Sequence, residues 1–256
     1  MIASPSTAPV SSRLILLLSR FQSMHSLDPT SSAVEYHRTL ADYVHKLTAQ
    51  QGKTPSEALV ISAACQHVRR WERPRSDWPE GLSGYKTWRT QLNKFHADMA
   101  QSTMYECGFQ QGSEEDERLV ERVRELLLKK TLQRPPLPRE EELKDPEAHL
   151  FEDAICLTFL RLQFVTFSQP YLPSSQPSPS PQPAMPGQPE STLSSTAKPR
   201  SAPTPEKLAG IVAKTWAKMT PSGRQVAVRE LVGGLPEELK EVVLGAVSGV
   251  KDAWEQ

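Results

Sequence analysis

The run TPSEALVISAACQHVRRWERPR, residues 54–75, decides the fold. Thr54 reads as a helix N-cap, Pro55 as the first helical residue and Glu57 as the closing member of a capping box. The spacing therefore predicts a helix from there to about Trp71. Ala58, Leu59, Val60, Ile61, Ala63, Ala64, Cys65 and Val68 leave that helix with almost no polar face. A helix that is apolar nearly all round is a central one, buried by others. Its far end then turns abruptly polar, with His67, Arg69, Arg70, Trp71, Arg73 and Arg75 in close succession.

Other helices are legible on both sides. Ser11 or Ser12 caps a first helix with Leu14, Ile15, Leu17, Leu18 and Phe21 as its buried stripe. A second runs from about Ser32 to Ala49 after Asp28-Pro29. Downstream of an irregular stretch from Glu72 to Gly84, a long helix follows from about Tyr85 to Cys107, closed by Gly108. Residues 114–130 form an amphipathic helix with acids in the first turn and Lys129-Lys130 in the last, as the helix dipole favours. Asp145-Pro146 opens a mostly apolar helix reaching about Phe167. Strand signals are nearly absent: there is no sustained alternation and no Asn-Gly hairpin. The expected class is all-α, a single multi-helix domain.

Residues 169–205 hold eleven of the 23 prolines and almost no large apolar side chains. Such a segment cannot recover its ordering entropy by burial, so a disordered Pro/Ser-rich insertion is expected there. The expected layout is a disordered tail at 1–11, a main helical domain at 12–168, the insertion, and C-terminal helices at 206–256. About fifty residues make a poor independent domain, so those helices should pack back on the main body.

Thirty basic and thirty acidic residues cancel. No global field draws the chain to nucleic acid or a membrane, and any anion site must be local. The longest apolar run, Leu14 to Leu18, is far short of the roughly 20 residues that span a bilayer. Cys65, Cys107 and Cys156 are odd in number and lie in apolar surroundings, which suits buried thiols in a reducing, cytoplasmic setting. The Arg- and Ser-containing, acid-free first 27 residues give a mitochondrial transit peptide as a lesser alternative.

Three clusters carry the candidate chemistry. At helical spacing His67 shares a face with Val60, Ala64 and Trp71. The neighbouring arginines suit bidentate pairing and stacking with an anion, or serve the helix C-terminus. Arg89 and His96 lie two turns apart on the long helix. Glu152-Asp153 is an acidic interruption in a greasy helix, and buried carboxylates need a partner. Two partners fit: one of the arginines, or a divalent metal shared with His67 and His96. His37 and His45 read as solvent-facing, while His25 and His149 sit at helix boundaries.

These strings resemble an uncharacterised family of bacterial and fungal proteins, the domain of unknown function DUF4202. The resemblance is carried by Ala64 to Arg75, Gly84-Tyr85, Trp88-Arg89, Phe95-His96-Ala97, Glu152 to Leu157 and Lys214 to Met219. The helical layout is similar to an HD-type phosphohydrolase bundle, but Val68 stands where the dyad aspartate would follow His67. That likeness implies catalytic His67, His96, Asp153 and Glu152, with a divalent metal on His67, His96 and Asp153. Arg69, Arg70, Arg75, Arg89 and Trp71 would then hold a phosphate-bearing small molecule or nucleotide. The alternative is a non-catalytic module binding an anionic ligand, RNA or an acidic partner. A glutamyl-tRNA synthetase activity, the label some fungal relatives carry, has no motif here. Lys218 to Ser222 reads as a helix end, with Thr220 capping the next helix at Pro221.

Overall fold

The computed structural model describes residues 11–172 and 204–252. The expected tail except Ser11, which caps the first helix, and all of the expected insertion except its ends lie outside the described residues. Gln169–Tyr171 form a 3-10 turn, so helical structure continues past the expected boundary at 168.

Among the described residues there is no strand. Helices α1 (Ser12–His25), α2 (Ser32–Gln50), α3 (Glu57–Cys65), α4 (Gly81–Glu106) and α5 (Glu114–Leu128) are followed by α6 (Pro146–Leu162) and the short α7 (Phe164–Ser168). After residue 204 come α8 (Pro205–Lys218), α9 (Pro221–Glu230) and α10 (Glu237–Val247). The fold is all-α. As expected, α3 is the hub, touching α1, α2, α4, α5 and α6. One apolar core joins Leu17, Phe21, Leu40, Ile61, Met104, Val123, Phe151 and Leu157 to Trp216, Met219 and Val226 of the C-terminal helices. The tail helices thus pack back on the body, with α8 and α9 both resting on α6.

Several local readings need correction. Ser56, not Thr54, caps α3, its hydroxyl accepting from the Leu59 amide at 3.1 Å. Ile15 points outward, and Leu14, Leu17 and Phe21 carry the buried stripe of α1. The helix expected to reach Trp71 ends at Cys65. Its end is fixed by two histidines from other helices. The Nε2 of His25 lies 2.7 Å from the Ala64 carbonyl, which can only accept, so this nitrogen carries the proton. His37 donates from Nδ1 to the Ala33 carbonyl and accepts the His67 amide at Nε2. The two rings stack at 3.6 Å. His37 is therefore buried, against the solvent-facing expectation, whereas His45 is exposed as expected.

Candidate functional site

Past Cys65 the chain turns through Arg69, whose φ of 50° is left-handed, into a 3-10 turn at Arg70–Glu72. This break aims His67 inward, toward α2 and α4. Its ring stacks on Tyr36 at 4.7 Å and lies 5.7 Å from the ring of His96. Arg70 reaches back, its Nη1 3.3 Å from the His67 Nε2. A guanidinium can only donate, so that nitrogen holds a lone pair and the ring is neutral with its proton on Nδ1. Burial, reinforced by the Arg70 charge, holds the His67 pKa well below its ordinary value. The same causes push His96 down to about 3. His96 is 2 % exposed, and its Nε2 is buried with no hydrogen-bond partner.

Cations from four segments act here, Arg70 on both histidines and Lys129, Lys218 and Arg89 on Glu152. Arg70 comes from the break after α3 and Arg89 from α4. Lys129 follows α5, and Lys218 ends α8. Lys129 occupies a left-handed conformation, φ 58°, that closes α5 and carries its ammonium onto Glu152. The Lys218 Nζ lies 4.0 Å from the same carboxylate. Burial pushes the Glu152 pKa upward, but Lys129 and Lys218, with Arg89 behind them, outweigh it and leave the group ionised. Non-glycine residues with positive φ cost free energy and cluster at functional sites. Of the three among the described residues (Ser31, Arg69 and Lys129), two flank this cluster.

The remaining expected site residues do other things. Arg69 pairs with Glu72, its Nε 2.6 Å from Oε1. Arg75 donates to the Trp78 and Pro79 carbonyls, both at 2.8 Å, closing the irregular loop on itself. Trp71 is half-buried on the 3-10 turn. Asp153 parts from its neighbour Glu152, accepting the Thr220 amide at 2.8 Å and the Thr220 hydroxyl at 2.6 Å. Burial raises its pKa well above the carboxylate range despite those bonds, and Glu140 and Glu152 add to the rise. Thr220 caps α9 through the Gly223 amide, as the sequence suggested. Asp153 thus fastens α9 to α6.

The expected metal set is corrected accordingly. Asp153 is committed to Thr220, Glu152 to Lys129, and no group of three or more His, Cys, Asp or Glu among the described residues is arranged to hold a metal ion. The residues present do not fit the divalent ion that the HD-type likeness implies. What the structure does bring together is His67, His96, Arg70 and Glu152, and it adds Tyr36, Lys129 and Lys218. Lys129 had a bland reading as a helix-end cation, and Lys218 as part of a helix end. Tyr36 gave no signal at all, since only the tertiary fold sets it against His67.

A family model described as Domain of unknown function (DUF4202) matches residues 16–176, more than half of the chain. That span covers α2 to α7, α1 from residue 16 onward, and all of the cluster except Lys218. No curated protein and no solved structure matches the chain. No helix among the described residues is long and apolar enough to cross a membrane.

Proposed function

The chain belongs to the DUF4202 family, and from this premise we propose that its site binds the phosphate group of a small molecule through His67, His96, Arg70, Arg89, Lys129 and Lys218. The observation that carries the reading is the Nε2 of His96, buried and without a protein partner beside a cluster richer in cations than in carboxylates. A buried polar nitrogen left unpaired costs roughly 1–3 kcal/mol. A phosphate oxygen placed there accepts an N–H and meets the surplus positive charge that Glu152 leaves uncompensated. The neutral histidines add donors without adding like charge.

Lys129 and Lys218, from two different segments, share one carboxylate, and such a local grouping favours a small anion over an RNA backbone. Metal-dependent hydrolysis has no comparable support, because the carboxylate it needs is spent on Thr220. The free, buried thiols of Cys65, Cys107 and Cys156 support a cytoplasmic setting for this activity.

Titration calorimetry with inorganic phosphate and pyrophosphate tests the reading. Both should bind, more weakly as salt rises, and Arg70→Ala and Lys218→Ala should each weaken binding about tenfold, the scale of a charge-assisted hydrogen bond. Binding that neither variant changes, or no binding at all, overturns it.

A further inference from the structure

Helix α4 has two adjacent working faces. Arg89 and His96 serve the cationic cluster, while Trp88, Gln91, Leu92, Lys94, Phe95 and Asp98 line a separate open cleft of about 230 Å3 together with Arg73 and Trp78. The two sites share a wall. Arg70, which donates to His67, also lies over the Trp88 ring at 5.3 Å, and the Phe95 ring is 5.8 Å from that of His96.

We infer that the small molecule is a nucleoside phosphate, its base stacked in this cleft while its phosphate occupies the cationic cluster. The inference rests on the anion-binding reading above and adds the chemistry of the rest of the ligand. A cleft walled by two indoles and a phenyl ring, with Arg73 over Phe95 at 5.1 Å, offers the stacking and cation–π surface that takes a planar heterocycle. Its volume is below the roughly 300 Å3 at which sites for whole drug-sized molecules begin, and suits one ring system.

Trp78 is the free platform. The Trp88 indole donates to the Arg73 carbonyl at 2.9 Å and carries Arg70 on its face. Trp78 is half-buried and has no ring or cation partner among the described residues. Its loop is nonetheless fixed. Arg75 holds the carbonyls of Trp78 and Pro79, and a Cβ on Gly84 would meet the Pro79 oxygen at 1.8 Å. Such a clasp keeps an unpartnered indole in place before a ligand arrives, which lowers the ordering cost of binding.

Calorimetry on the full chain with the four ribonucleoside 5′-monophosphates and with ribose 5-phosphate decides the matter. Stacking tolerates any base, so all four nucleotides should bind about tenfold tighter than ribose 5-phosphate. Trp78→Ala should erase that preference and leave ribose 5-phosphate affinity unchanged, which also shows that the variant is folded. Equal affinity of nucleotides and ribose 5-phosphate for the unaltered protein overturns the inference while the anion site stands. So does a Trp78→Ala variant that keeps the preference or weakens both kinds of ligand alike. If neither ribose 5-phosphate nor any nucleotide binds, the anion site itself fails and takes the inference with it.

Discussion

Gly223 sits where α9 crosses α6, and a Cβ there would meet the Asp153 carboxyl at 2.4 Å. Gly223→Ala should therefore cost about 1–3 kcal/mol in urea unfolding, the usual effect of overpacking. A neutral result would mean that Asp153 moves freely, against its role as a clasp. The histidines give a second expectation. His96 is held near 3 by burial and by Arg70, but it titrates near 6.5 once the chain unfolds. The unfolded state then binds a proton that the folded state refuses, so the histidine's contribution to stability is lost as pH falls below about 6.5 toward 3. His37, also near 3 through burial and His25, acts in the same sense. Asp153 acts in the opposite sense, because burial raises its pKa and the folded state keeps its proton as pH rises past the unfolded value. Comparing the protein with a His96→Gln variant cancels the other groups. The variant's stability relative to the unaltered protein should improve as pH drops from 7.5 to 5, by up to about 1 kcal/mol per unit below 6. A difference that stays constant with pH would remove the histidine from the account.

At the scale of elements, periodicity makes the helices visible and tertiary partners decide where they stop. The stripes of α1, α2, α4 and α5 follow a 3.6-residue period, so their existence was legible. The end of α3 was not. Its apolar pattern runs through Val68, and only His25 and His37, from other helices, claim the Ala64 carbonyl and the His67 amide. Similarly, Lys129 looks like any helix-end cation until its left-handed backbone sets it on Glu152. Lys129→Ala should leave a buried carboxylate without its nearest cation and destabilise by about 3 kcal/mol, and adding Glu152→Gln should recover much of that loss. Strict additivity of the two changes in a double-mutant cycle would show that the pair is not coupled.

For the molecule as a whole, the class and the return of the tail helices could be read from composition and amphipathicity, whereas the grouping of site residues could not. Glu152 and Asp153 are adjacent in sequence yet belong to different structures, one facing cations and the other a helix cap, because neighbouring positions on α6 point about 100° apart. No property of the sequence says which neighbour each will meet. Ending the chain after Leu172 would strip Trp216, Met219, Val226 and Ala227 from the core. At about 1.5–3 kcal/mol per large apolar side chain, the loss is comparable to a whole domain's stability. Thermal melts of that truncation should show no cooperative transition near the full-length midpoint; an unchanged midpoint would mean that the tail is dispensable.

Because Lys218 comes from α8 and shares Glu152 with Lys129, the anion binding proposed above would make occupancy of the cluster and attachment of the tail linked equilibria. An anion that draws on Lys218 must hold α8 to α10 closed by the same factor by which their release would expel it. Amide exchange in those three helices would then gauge the proposed ligand from some distance away, readable with no assay for turnover.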